Sequence, residues 1–303
     1  MPPFELFSVN GGLYLDKGGT QQFHLKGINW MGAGVQLLPV VRYASHWNVF
    51  AAVLKNEPHG KATWGTDDPA TDWRLAAERI GAAVQAMAPR LLVFVEGVQG
   101  TCDNVPRQQL ACWGGALDSA GAAPVRLPVP NKVVYSPLLY GPDVQKQGYF
   151  NESPTFDNLP GEVWQHQWAY LGANKGPAVV LGEWGGHAVP GTPDNAWHER
   201  LAQFLIDRGM TDNFYWCLNP TSTDTGGVLD NDWTTPIRHK LDRLARMNSS
   251  PSRLVVDGNG NLQRVDIGGS GASTRIVSAP RTRIQPFVQG VEIPALTGFD
   301  RFL

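Results

Sequence analysis

Two short strings in this chain set a glutamate in the same kind of place. Leu54-Lys55-Asn56-Glu57-Pro58-His59-Gly60 and Val180-Leu181-Gly182-Glu183-Trp184-Gly185 each put a carboxylate directly behind an apolar, β-rich run, and each then turns through Pro or Gly. In parallel α/β folds ligands bind at the carboxyl ends of strands. Two carboxyls facing each other across one cleft there suit cleavage of a glycosidic bond. One protonates the leaving oxygen while the other attacks the sugar or activates water. A glutamate behind a strand also serves as a helix-cap partner or a solvated loop residue. The weight therefore rests on the two strings together and on the residues around them.

Asn56, just before the first carboxylate, can hydrogen-bond a sugar hydroxyl beside the bond being broken, a contact that strengthens in the transition state. Tyr140 follows a strand candidate and can donate its hydroxyl to the nucleophile. Trp216 closes the last strand candidate and offers a flat apolar face for a pyranose with an N–H at its edge. The chain holds 11 tryptophans. Trp30 ends the first barrel strand, and Trp64, Trp113, Trp184 and Trp233 fall in expected loops, where a carbohydrate groove would use them. Trp73 and Trp197 lie on helical patterns and are expected to pack in the core.

These residues need a scaffold. Strand candidates are Phe23–Ile28, Val49–Lys55, Leu91–Glu96, Lys132–Ser136, Ala178–Gly182 and Phe214–Leu218. Helical patterns fall between them. Asp72–Ala88 has apolar spacing, an Asp at its start and Pro89 just past its end, and Asp194–Arg208 ends at Gly209. Shorter helices are expected at Gly161–Leu171 and Pro236–Met247. Alternating strands and helices imply a parallel sheet with crossover helices. Only six strands are found where a complete barrel has eight. The shortfall is local, because Trp30 to Asn48 leaves room for one element, split by Pro39. The expectation is an α/β, TIM-type (β/α) barrel, incomplete, over residues 1–248, opened by a small hairpin around Asn10-Gly11. Residues 249–303 form a separate tail, with a β-hairpin at Leu254–Leu262 turning at Asp257-Gly258 and a Gly/Ser run beyond Gly268. The tail or a second copy of the chain could cover the open barrel edge.

Composition narrows the partners. Of 303 residues 42% are hydrophobic and 17% charged, with a formal net charge of −2. No basic stripe points to nucleic acid, and no apolar run reaches the length of a membrane span. The start, Met-Pro-Pro-Phe-Glu-Leu, has neither the basic segment nor the apolar core of a secretion signal. Cys102 and Cys112 lie in one polar loop; the preferred reading pairs them and leaves Cys217 free and buried, as suits an oxidising compartment, and the alternative is three reduced thiols. Cys and His do not cluster with zinc spacing, and His46, His59, His187 and His198 show no ligand pairing. Asp224, Asp230 and Asp232 share a loop that could hold a structural calcium or be closed by hydrogen bonds alone.

Taken together, Asn56-Glu57-Pro58-His59, Trp73-Arg74-Leu75-Ala76-Ala77-Glu78, Phe94-Val95-Glu96-Gly97-Val98-Gln99, Trp113-Gly114-Gly115, Val134-Tyr135-Ser136-Pro137, Tyr140-Gly141-Pro142, Gly182-Glu183-Trp184-Gly185 and the stretch from Trp216 to Trp233 resemble the glycoside hydrolase family 5 cellulases. The resemblance covers roughly residues 5–30 and 40–247. It implies a (β/α)₈ barrel and a retaining, cofactor-free endo-β-1,4-glucanase working outside the cell or in the periplasm. It places the acid/base on Glu57, the nucleophile on Glu183, the amide partner on Asn56, the tyrosine on Tyr140 and the subsite tryptophan on Trp216. The family's arginine of the second strand and histidine of the third fall in the gap after Trp30. A further family histidine, two positions before the tyrosine, is Leu138 here. The alternatives left open are a weakened relative that binds glucan through an aromatic groove, and an enzyme acting on mannan or xyloglucan.

Overall fold

The computed structural model describes residues 5–29, 49–100, 111–151, 156–173, 176–249, 252–256 and 262–266. Trp30, His46, Cys102, the split element at 30–48, the Asp257-Gly258 turn and the Gly/Ser run lie outside them. The chain divides into two units, Met1–Gly268 and Gly269–Leu303, the second wholly outside the described residues.

The first unit opens with β1 (Phe7–Val9) and β2 (Gly12–Tyr14), an antiparallel hairpin. Its two turn residues, Asn10 and Gly11, both have positive φ (51° and 74°), as a two-residue hairpin loop demands. The hairpin is tied to the amino-terminal ends of barrel strands: Ser8 N–H donates to Asn131 O at 2.9 Å and Ala178 N–H to Ser8 Oγ at 2.6 Å.

The barrel strands are β3 (Lys26–Ile28), β4 (Ala51–Val53), β5 (Leu92–Val95), β6 (Val133–Tyr135), β7 (Leu138–Tyr140), β8 (Ala178–Val179), β9 (Leu181–Gly185) and β10 (Asn213–Tyr215). They form two parallel sheets, in the orders β4-β5-β6-β8 and β3-β10-β9-β7. The sheets are continuous in fact. Pro137 has no N–H to give the ladder and separates β6 from β7, but Val180 N–H reaches Tyr135 O at 2.9 Å and Gly182 N–H reaches Pro137 O at 3.1 Å. Six strand courses therefore run side by side, β3 and β4 standing at the two ends among the described residues. Among the described residues, the expected incomplete TIM-type barrel is what forms.

Alternation along each strand builds two cores. Leu92, Phe94, Val134, Ala178 and Val180 point inward and meet Leu6, Leu13 and Phe23 from the amino-terminal segment. Val93, Val95, Val133, Tyr135, Val179 and Leu181 point outward against the helices. Strands buried on both faces read as unbroken apolar runs, which is why they were visible in the sequence. The helices are α1 (Trp73–Met87), α2 (Pro193–Asp207) and α3 (Arg238–Ala245), with helical turns at Leu159–Trp164, Gln165–Gln167 and Ala169–Ala173. Asp72 caps α1 by accepting from Arg74 N–H, and Thr192 caps α2 by accepting from Asn195 N–H, each satisfying a backbone donor the helix itself cannot. In the tail, β11 (Ser252–Val256) and β12 (Leu262–Asp266) pair antiparallel as expected.

Among the described residues no helix is long and apolar enough to cross a membrane.

Candidate active site

The site lies at the carboxyl ends of the strands. β4 ends at Val53, and Leu54 N–H still pairs with Phe94 O. The chain then exposes Asn56 and turns at Glu57, which takes φ = 52°. A side chain in the left-handed region costs of order 1–3 kcal/mol and persists only where neighbours hold it. Here the Glu57 N–H donates to Glu96 Oε2 at 2.6 Å. Glu96 ends the β5 course and is 3% exposed; α1 anchors its backbone, since Trp73 Nε1–H donates to Glu96 O at 2.9 Å.

Glu183 reaches the same pocket by a different device. Along β9, Leu181 pairs with Asn213 but Trp184 pairs with Tyr215, so β9 carries one extra residue and bulges. Strict alternation from the outward-facing Leu181 would send Glu183 outward too. The bulge lets both Leu181 and Trp184 face the helices while the carboxyl is turned away from them, the kind of re-aiming bulges supply beside active sites. Tyr140 lies on the neighbouring strand, where Leu138 pairs with Glu183 and Tyr140 with Gly185. The Tyr140 hydroxyl donates to Glu183 Oε2 at 2.5 Å. The floor holds Gly182 and Leu138: an added Cβ at either Gly114 or Gly182 would lie 3.5 Å from Leu138 Cδ1.

Three carboxyls thus share one partly dry space, and their proton affinities follow. Burial pushes Glu183 up to about 7; the Tyr140 hydrogen bond opposes this, while the charges of Glu57 and Asp224 add to it. Burial also raises Glu57, helped by Asp224 and opposed by His59 and Lys55. Burial likewise holds Glu96 well above the usual carboxylate range, with the charges of Glu183 and Glu57 adding to the effect and the Glu57 N–H opposing it. The three carboxyls therefore bind protons more tightly than isolated ones, and Glu183 has a hydrogen-bond donor that favours its ionised form. On the rim, Trp113 is 41% exposed and stacks on His59, with ring centroids 3.9 Å apart and planes within 11°.

A cellulase (glycosyl hydrolase family 5) model matches residues 40–222. The chain belongs to this family. Among related proteins, an endoglucanase of Paenibacillus polymyxa is 42% identical over 207 residues, 68% of this chain and 51% of that protein. The major extracellular endoglucanase of Xanthomonas campestris is 41% identical over 206 residues, 67% and 41% of the respective chains. The chain spans about half the length of these curated relatives or less. Among solved structures, a cellotetraose complex of an endocellulase from Pyrococcus horikoshii has 43% identity and a TM-score of 0.63, covering 68% of this chain and 59% of that one.

Within this family 5 site the structure brings Glu57, Glu183 and Tyr140 together and leaves Asn56 exposed beside them. Trp30 lies outside the described residues. Trp216 follows β10 and is half-buried, but its indole N–H is committed to Ser222 Oγ at 3.3 Å rather than left for a sugar. Trp184 is corrected outright: it is 0% exposed, gives its Nε1–H to Asn213 Oδ1 at 2.9 Å, and packs edge-on against Tyr215. It is a core residue, and so is Trp64, whose N–H bonds Ala123 O. The cysteine pairing is also corrected. Cys112 is a free, buried thiol whose Sγ receives Gln147 Nε2–H, and Cys217 is free and buried.

The three aspartates after β10 serve separate turns. Asp224 accepts from Ser222 Oγ, Asp230 from Asn231 N–H, and Asp232 from Thr234 and Thr235. Among the described residues no three His, Cys, Asp or Glu side chains gather as a metal site. Glu96 was missed as a site residue, although it obeys the rule that found the other two: a carboxylate at the carboxyl end of a strand, followed by Gly97.

Proposed function

We propose that the chain is a retaining endo-β-1,4-glucanase that works by double displacement. The observation carrying this reading is the Tyr140–Glu183 hydrogen bond in a pocket where Glu183 and Glu57 feel each other's charge. Glu57 protonates the glycosidic oxygen as Glu183 attacks the anomeric carbon, the C–O bond breaks, and a glycosyl-enzyme forms. Glu57 then takes a proton from water, the water oxygen attacks the same carbon, and Glu183 departs as carboxylate. Positive charge developing on the sugar opposite Glu183 favours that residue's ionised form. On this reading Asn56, next to Glu57 and exposed, meets the sugar hydroxyl beside the scissile bond, and the Trp113–His59 stack carries a ring on the rim. Two carboxyls suffice for this chemistry without a cofactor. The β-1,4-glucan substrate is suggested by the cellotetraose bound to the Pyrococcus endocellulase, and an extracellular setting by the Xanthomonas relative.

Carboxymethylcellulose tests the reading. The chain should release reducing ends with a fast fall in viscosity, the mark of internal cleavage, and far less from mannan. Retention on cellulose without any release of reducing ends would overturn it. Tyr140→Phe should lower kcat/KM on the order of 10²–10³-fold, the usual effect of losing one preorganised donor. It should also move the acid limb of the pH–rate profile upward. The lost hydrogen bond had favoured ionised Glu183, so its pKa rises and a higher pH is needed to deprotonate it. A limb that stays put or moves down would contradict the role of Tyr140.

A further inference from the structure

We infer that Glu96 is a positioning residue for the acid/base: it holds the Glu57 N–H and so fixes the left-handed backbone from which the Glu57 side chain is aimed. The inference rests on the double-displacement reading for the role of Glu57, while the clamp itself can be measured without turnover.

The observations converge from several directions. Glu57 takes φ = 52°, and the residue after it is Pro58. Both facts make its backbone one that must be held from outside. Its backbone N–H is aimed at a side chain rather than at a neighbouring strand, at the short distance of 2.6 Å. That side chain is itself buried and its backbone is tied. Glu96 is 3% exposed, its carbonyl takes the Trp73 indole N–H, and the next residue, Gly97, bonds Gly114 O at 2.9 Å. Gly114 completes the clamp from the far side. It sits at φ = 75°, and a Cβ there would fall 2.8 Å from Glu96 Oε2 and 3.4 Å from Glu57 Cα. Its N–H also reaches Pro58 O at 3.4 Å. The turn at Asn56–Gly60 and the turn at Cys112–Gly115 therefore both close on one carboxyl. A glutamine amide places an oxygen at the same position and can accept the Glu57 N–H as the carboxyl does.

The test uses the full chain with Glu96→Leu, Glu96→Gln and Gly114→Ala. A cellotetraose leaving group needs a proton from Glu57, whereas 2,4-dinitrophenolate leaves 2,4-dinitrophenyl β-cellobioside without one. Glu96→Leu and Gly114→Ala should lose about 100-fold in kcat/KM on cellotetraose, the scale expected of a misaimed group, with little loss on the dinitrophenyl substrate. Glu96→Gln should recover most of that loss. In the same samples the Glu57 amide proton should move upfield in Glu96→Leu and stay near its wild-type position in Glu96→Gln. Equal losses on both substrates would mean a general fold defect and overturn the positioning role, as would a glutamine variant no better than leucine. An unmoved Glu57 amide in Glu96→Leu would overturn the clamp. A wild type that shows the clamped amide yet cleaves neither substrate would instead sink the hydrolase reading.

Discussion

Glu183→Gln should lower turnover of β-1,4-glucan by ~10⁴-fold or more while leaving the fold intact, because on the proposed mechanism removing the nucleophile removes the covalent path itself. Glutamine keeps an oxygen for the Tyr140 hydroxyl, so the 2.5 Å hydrogen bond retains an acceptor. It also removes one of the mutually repelling carboxyls of the cluster. Thermal stability should therefore hold or rise. A shortened variant adds a stereochemical check. In Glu183→Ala, azide can occupy the vacated side of the sugar and displace the leaving group directly, giving an α-glycosyl azide from a β-linked substrate. Product analysis by NMR reads the anomer, and a β-azide from this variant would assign the nucleophile elsewhere.

The second large effect belongs to Glu57. Glu57→Ala loses proton transfer at both steps, worth on the order of 10²–10⁴-fold. The loss depends on the substrate: it is large for glucan and small in kcat/KM for a dinitrophenyl cellobioside. With that substrate the glycosyl-enzyme forms but is hydrolysed slowly, since no base remains to activate water. Azide then attacks the intermediate from the face that Glu57 served and yields the β-glycosyl azide, the opposite anomer from the Glu183 variant. Rate loss independent of the leaving group would deny Glu57 the acid/base role.

Much of this site was legible because its physics is local. β5, with the run Leu92-Val93-Phe94-Val95, is buried on both faces, so it stands out as an apolar strand ending in a carboxylate. Asp72 and Pro89 mark the ends of α1 as capping chemistry predicts. Two features hid. Pro137 divides one strand course, so the sequence suggested a strand stopping at Ser136 with Tyr140 loose beyond it. The course in fact resumes at Leu138 and sets Tyr140 in register beside β9. Gly185 similarly suggested a turn after Glu183. The strand continues through it, because the missing Cβ admits Trp216 O into the space a side chain would fill. That continuation, together with the bulge, is what buries Trp184. A bulge is set by pairing between distant strands and leaves no periodic mark of its own. Glu96 was visible in position but not in role, since its partner is a backbone N–H whose direction depends on the left-handed turn at Glu57.

The chain should react with 2,4-dinitrophenyl 2-deoxy-2-fluoro-β-cellobioside, whose fluorine slows both displacement steps while its leaving group keeps the first accessible. Mass spectrometry of the digested protein should find one cellobiosyl adduct, carried by the peptide containing Glu183. A label on any other carboxyl, or hydrolysis of glucan with inversion and no adduct at all, would contradict the mechanism.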